Sequence, residues 1–558
     1  MSGLIARKGC DINQRDCMGS TALMWAARRG NEEAVSLLLA QDSVDPNKPS
    51  GYGRTPLWWA SFYGHEEVVR LLLTRDDIKP DKPDYFDQAP IWSASYNGHN
   101  RVVELLLAQS DANPNRPDTY GQTPLWWASC MGHEGVVKLL LAQNDVDPDK
   151  PNNSSKTPLW RSSRNGHEGV VKLLLAQNDV NPDNPDKDGL TPLWCASYNV
   201  HEGVVKLLLT RDDVDPNKQN NDCQTLLGHA SGHGHEGIVR LLLSRNDVNP
   251  NKPNKYGQTP LWCASYKGYE AVVELLLTQG GINPDKLDND SQTPLWAASY
   301  KGHEGVVKLL LARDDVDPNR SSNNCQTPLW RASWNGHEGV VELLLARNDV
   351  NPDMPSNDGR TPLWAASYNG HEGVVKLLLL RSDVNPDKPN NQGQTPLWAA
   401  SYHGNEEVVK LLLARNNVDP DRPDKDGRTP LWCSSQNGHD RVVKLLLARN
   451  DINPNKPSNK GQTPLWRASY QGHEGVMKLL LARNYVNPNE PDNNSETPLW
   501  RASFHGHEGV VKLLLARGDV NPNKQDNHGR TPLHIASICG HAEMVALLQP
   551  LTSPVPPE

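Results

Sequence analysis

Thr361-Pro362-Leu363-Trp364-Ala365-Ala366-Ser367-Tyr368-Asn369-Gly370-His371-Glu372-Gly373-Val374-Val375-Lys376-Leu377-Leu378-Leu379-Leu380 spells two short helices joined by a tight turn. Thr361 is a good N-cap, because its hydroxyl can accept a hydrogen bond from an orphan N–H of the first turn. Pro362 suits the first helical position, where a missing N–H is harmless. The first helix is predicted to run through Asn369, and Gly370 supplies its left-handed stop. A second helix is predicted from Glu372 to Leu380, with Glu372 and Lys376 as an i,i+4 ion pair in the favourable order. Its apolar residues wrap most of the cylinder, which fits a helix packed on three sides. The residues that follow, Arg381 to Gln394, contain two prolines, several asparagines and a glycine. They predict an extended loop that ends in a turn.

The same pattern returns along the chain at an interval of 34 residues, from Thr55-Pro56-Leu57 to Thr531-Pro532-Leu533, and backwards to Thr21-Ala22-Leu23. A period of this size marks a stacked-repeat architecture, since a single unit cannot bury its own apolar face and must use its neighbours. Sixteen units fill residues 21–549. Stacking also explains how 558 residues form one array, when compact cores stop growing well below that length.

These residues resemble the ankyrin repeat. The likeness rests on Thr-Pro-Leu, a pair of small residues, Gly-His and a Val-Val-x-Leu-Leu-Leu helix. The last unit keeps it nearly complete in Thr531-Pro532-Leu533-His534 with Gly540-His541. It extends over residues 4 to 549. The resemblance implies an all-α fold, an ankyrin-type solenoid of stacked helix-turn-helix units with long hairpin-like loops. It implies protein binding through the hairpin tips and the first helices of a concave face. Two departures stand out. The family's histidine is Trp in thirteen units, Trp58 and Trp364 among them. The loops carry Asn-Pro-Asn-Lys-Pro type segments, whose prolines interrupt a hydrogen-bond ladder, so a weaker hairpin or a polyproline-like strand is expected there.

At the ends, residues 1–20 read as a partial repeat, since residues 4 to 13 match only the close of a second helix and its exit loop. The chain is thus expected either to begin inside a longer array or to carry a shortened first unit as an imperfect cap. Residues 550–558 hold four prolines and no pattern, and are expected to be a disordered tail.

Composition narrows the function classes. Net charge is −9, with 57 basic and 66 acidic residues intermixed, and no basic stripe marks a nucleic-acid partner. The N-terminus lacks a secretory h-region, and Val-Val-Lys-Leu-Leu-Leu is far too short to cross a bilayer. The chain reads as soluble and cytoplasmic, with the nucleus as an alternative. Cys195, Cys263 and Cys433 share one repeat position two and five units apart, too far to pair, and so read as free thiols.

Candidate binding residues emerge from the repeat register. The Trp of each layer is expected to join neighbouring layers, with its indole N–H bonded to a loop carbonyl. Four residues further on, ten units carry a ring. By the ankyrin resemblance this position and the next lie on the concave face, and Tyr and Trp are the usual anchors of an interface. Packing of these rings against the adjacent layer is the competing reading. Polar, varied neighbours favour an exposed site. The expected partner-binding set is Phe62, Tyr96, Tyr198, Tyr266, Lys267, Tyr300, Lys301, Trp334, Tyr368, Tyr402, Tyr470 and Phe504. The second helix is nearly constant while turn pairs such as Tyr85-Phe86 and Lys255-Tyr256 vary, as a modular recognition surface requires.

Apparent catalytic and metal motifs dissolve in this register. Gly232-His233-Gly234-His235-Glu236-Gly237 matches G-x-G-x-x-G but joins two helices with no preceding strand. Asp145-Val146-Asp147-Pro148-Asp149 imitates a calcium loop, yet Lys150 and Lys156 stand where that loop needs Gly and Glu. The repeated His-Glu lacks the second histidine of a zinc site. No catalytic, cofactor or metal site and no small-molecule substrate is expected. Thr225-Leu226-Leu227-Gly228-His229-Ala230-Ser231-Gly232 loses the proline and the Trp and places two glycines in a helix, which predicts a weak joint. The leading functional expectation is a non-enzymatic scaffold that binds another protein or an extended peptide. The alternative is the C-terminal sensing array of a larger NACHT-type receptor, whose upstream coding sequence would contain a phosphate loop.

Overall fold

The computed structural model describes residues 11–551. Residues 1–10 of the partial repeat expected at 1–20, and residues 552–558 of the tail expected to be disordered from Pro550, lie outside the described residues, while Pro550 and Leu551 are helical. Gln549–Leu551 form a closing 3-10 turn. From Ala22 to Leu548 the chain forms sixteen helix pairs, with no strand among the described residues. It divides into two compact units. The first comprises the chain to Ala264 with Glu274–Ile282, and the second comprises Ser265–Val273 with the chain from Asn283 onward. Within each unit, first helices pack on neighbouring first helices and second helices on neighbouring second helices.

One layer shows why these residues make this element. Thr361 Oγ1 accepts the Trp364 N–H at 3.1 Å, and the first helix runs Pro362–Asn369. Gly370 ends it at φ 76°. The second helix is Glu372–Leu380, with Val374, Val375, Leu378 and Leu379 buried and Lys376 paired to Glu372 on the surface. Each fully buried Val or Leu contributes on the order of 1.5–3 kcal/mol relative to exposure. Trp364 and Trp398 lie inside, and with Ala399, Trp432 and Cys433 they form one continuous apolar cluster of the second unit. Most indole N–H groups reach a carbonyl of the next loop, as Trp330 Nε1 does to Arg360 O at 2.8 Å and Trp432 Nε1 to Gln462 O at 3.0 Å.

The loops contain no hairpin strands among the described residues. Most tips are turns closed by an Asp or Asn side chain, whereas at Ser322, Ser356 and Ser458 the hydroxyl has no partner and the backbone alone closes the turn. Asn390 Oδ1 accepts the N–H groups of Gln392 and Gln394, both at 2.9 Å, and the Asn390 N–H donates to Gln394 O at 2.9 Å. Neighbouring tips are then joined through the backbone, for example Asn391 N–H to Asp358 O at 2.9 Å. Proline removes the donors a strand pair would need, and a short polar side chain supplies the closure instead. A second ladder runs deeper in the loops. Asn319 Nδ2 donates to Asp349 O at 2.6 Å while its Oδ1 accepts the Asn351 N–H at 2.7 Å.

Candidate functional site on the first-helix face

The ring position falls in the last turn of each first helix, and its register is set from two directions. Inside its own helix the ring stacks on the buried Trp one turn earlier: Trp330 and Trp334 lie 5.4 Å apart, Trp364 and Tyr368 5.0 Å, Trp398 and Tyr402 5.2 Å. From the following layer the histidine of the Gly-His turn reaches back to the ring residue's carbonyl. His337 Nε2 lies 3.1 Å from Tyr300 O and His371 Nε2 3.0 Å from Trp334 O; Asn405 Nδ2 replaces it at 3.0 Å from Tyr368 O. The glycine of that turn is doubly required. Gly336 has φ 78°, and a Cβ there would fall 2.6 Å from His371 Nδ1.

Of the expected binding residues, Lys267 and Lys301 are exposed, Tyr198 is 63% exposed, and the other rings are half-buried. A half-buried ring both packs against its layer and presents an edge. They do not form one site. Tyr266 and Tyr300 come together at 6.3 Å and Trp334 and Tyr368 at 5.6 Å, whereas Tyr470 and Phe504 are bridged by the Arg501 guanidinium, 5.6 and 5.7 Å from their ring centres. In the first unit Tyr96 meets Trp127 at 5.0 Å and Phe62 meets Tyr63 at 5.1 Å. Tyr198 stands apart because the next layer offers Gly232 in place of a ring, and the ring it meets there is His229 at 5.3 Å.

Sequence reasoning missed the column directly after the Trp. Arg331, Arg467 and Arg501 occupy it and lie over the rings: Arg331 Cζ is 4.7 Å from the Tyr300 centre and 5.4 Å from Trp296. Reading that column, in which Ala297, Ala365 and Ala399 alternate with Arg, shows them. Exposed rings at the loop tips, Tyr52, Tyr85 and Tyr120, also belong to the surface of the first unit. Burial disfavours the thiolate of two thiols, pushing Cys195 up to about 12 and raising Cys433 as well. Neither forms a disulfide, nor do Cys17, Cys130, Cys223, Cys325 and Cys539. Among the described residues no group of three or more His, Cys, Asp or Glu could hold a metal ion, and no helix is long and apolar enough to cross a membrane.

A helical array whose turns, capped first helices and constant second helices present a face of variable side chains is the architecture of a repeat-type interaction module. The family model described as ankyrin repeats (3 copies) matches eight overlapping segments, 2–84, 77–152, 144–220, 203–288, 280–355, 343–424, 400–492 and 484–553, and the chain belongs to the ankyrin repeat family. A search of curated proteins gave no match. Ankyrin repeats are in general protein–protein interaction modules.

Proposed function

We propose that this protein is a non-enzymatic scaffold that holds another protein or an extended peptide against the ring-bearing face of its first helices and its loop tips. The observation that carries this reading is the column of anchored, half-buried rings flanked by exposed, varied polar residues such as Lys267, Lys301, Asn369 and His403. Fixed aromatic edges with adaptable polar neighbours combine large contact area with little entropy loss. We place its action in the cytoplasm or nucleus, with no small-molecule substrate. Ring truncation is a poor test, because Trp334, Tyr368 and Tyr402 pack on the buried Trp cluster and their loss would loosen the layers. The better variant changes Lys267, Lys301, Asn369 and His403 to alanine, with folding checked by circular dichroism. Affinity capture from native lysate should then lose a partner that the unmodified chain retains. Identical partner lists would reject this face as the binding surface.

A further inference from the structure

Three positions of each first helix border the ring face: the one after the Trp, which is buried where it is small, as at Ala297, Ala365 and Ala399, and half-buried where it is Arg; the ring position; and the one after the ring. From Ser265 to Cys539 these positions hold Lys267, Lys301, Arg331, Arg467 and Arg501, and not one Asp or Glu. That is a marked segregation in a chain of net charge −9. The acids stand elsewhere, at the starts of second helices such as Glu304 and Glu338, and in the loops.

The excess is sharpest over three consecutive layers. Arg360, Arg428 and Arg530 each pair with a carboxylate of their own loop, and Lys376 pairs with Glu372 on the second-helix face. Lys267, Lys301 and Arg331 form no ion pair among the described residues, and Arg331 Nε is buried without a hydrogen-bond partner. Rings hold these cations in place. Lys301 Nζ lies 4.7 Å from the Tyr266 centre and 4.9 Å from Tyr300, and Arg331 Cζ lies 4.7 Å from Tyr300 on the same surface. Cation–π contact fixes a charge without neutralising it, so the patch is pre-organised for an anion.

We propose that this patch binds an acidic segment of another protein, whose Asp and Glu carboxylates dock on Lys267, Lys301 and Arg331 beside Tyr266, Tyr300 and Trp334. The proposal rests on the protein-binding reading above and names the class of partner. Packed helices lie about 8–10 Å apart, and an extended chain advances about 3.3 Å per residue. An acid at every third residue of an extended segment therefore meets successive layers. A nucleic acid fits less well. Tyr300 has Trp296 stacked at 5.6 Å, with Lys301 and Arg331 also over the ring, so no clear face is left for a base.

The test is selection of a random dodecapeptide phage library on the immobilised full chain, followed by fluorescence anisotropy of the enriched peptides and of a single-stranded RNA 12-mer. The proteins compared are the unmodified chain, a Lys267→Glu/Lys301→Glu variant, and Lys308→Glu on the second-helix face as control. Both test lysines are exposed, so folding is not at stake. The expected result is enrichment of peptides rich in Asp and Glu, with affinity reduced at least tenfold by the double variant and by added salt, and unchanged by Lys308→Glu. Neutral peptides that still compete for the ring face would overturn the acidic partner and leave the protein-binding reading standing. Failure to enrich any peptide dependent on this face would overturn both. RNA binding tighter than any peptide, with the same lysine dependence, would overturn it in favour of a nucleic acid.

Discussion

Replacing Asp149 by asparagine is expected to stabilise its loop at neutral pH, because the deeper ladder is built for an amide. Where the ladder residue is asparagine, as at Asn115, the side chain donates to the carbonyl thirty residues on, Asp145 O at 2.7 Å, and accepts the Asp147 N–H at 3.4 Å. Asp149 keeps the second contact, its Oδ2 accepting from Asn181 N–H at 3.4 Å, but Oδ1 takes the place of the amide NH2 and is buried without a donor. Asp183, Asp353 and Asp421 share this defect, and each has a lysine nearby, Lys218, Lys388 and Lys456. Asp149 has Asn184 there instead, with Asp147 adding a like charge, and burial raises its carboxyl from 3.8 to about 6. At 1.36 kcal/mol per tenfold change, that shift would be worth about 3 kcal/mol for a group sealed from water. Asp149 is only half-buried, and solvent screening reduces the figure to about 1–1.5 kcal/mol. The sign follows from linkage. A carboxyl raised in the folded state holds its proton longer than in the unfolded chain, so its contribution is full below about pH 3.8 and is lost as pH rises through about 6. The amide of the Asp149→Asn variant cannot ionise, so the gain should appear at pH 7.5 and shrink to a few tenths of a kcal/mol at about pH 4. Repeat arrays open locally, so the assay is hydrogen-exchange mass spectrometry of the peptide containing the Asn181 amide, corrected for intrinsic rate. About tenfold greater protection at pH 7.5, fading towards pH 4, is expected. Equal protection at pH 7.5, or a gain that is as large at pH 4, would refute the reasoning.

Other substitutions test the packing and the joint. Ser367 is fully buried and its hydroxyl has no partner, so Ser367→Ala should raise local stability by about 1 kcal/mol, read as slower exchange of Pro362–Asn369; a loss would show a hidden hydrogen bond. Removing the cap with Thr361→Ala should cost about 1 kcal/mol in the same readout. Gly232→Ala should stabilise its helix by about 0.5–1 kcal/mol, since an added Cβ would meet only Cys263 Cβ at an ordinary 3.5 Å. The joint at Thr225 to Gly234 should also be acid-labile. His229 is pressed against Trp194 at 5.2 Å, its Nδ1 is buried without a partner, and burial lowers its ring from 6.5 to about 4. The unfolded chain therefore binds the proton first, and this layer loses protection as pH falls from 6.5 towards 4, whereas His229→Gln should not.

What was legible in the sequence is what a residue does to its own few neighbours. Thr361, Pro362 and Gly370 each impose a local geometry, and one period of them was enough to lay out every helix. The loop was not legible in the same way. Proline indicated what the loop could not be, but the closure at most tips depends on a side chain reaching N–H groups two and four residues on, as Asn390 does. The signal was present as Asp84, Asp118, Asn152 and Asp186 at that one register position. The candidate face was legible as a column of rings, but its half-burial was not, because it is decided by the next layer, where His371 reaches back to Trp334 O. Arg331 was hidden by the alanines that share its column. The difference between the columns has a functional consequence. Columns that hold the stack together, the Trp and the Val-Val pair, face two interfaces at once and vary little, with Ile238 and Met477 the kind of apolar change they admit. The columns of the ring face touch the neighbouring layer through ring edges and side-chain ends, as Lys301 Nζ does 4.7 Å from the Tyr266 centre, and they differ more from unit to unit. On the binding reading proposed above, a segment lying across three layers would meet Lys267, Lys301 and Arg331, three choices of the same sign.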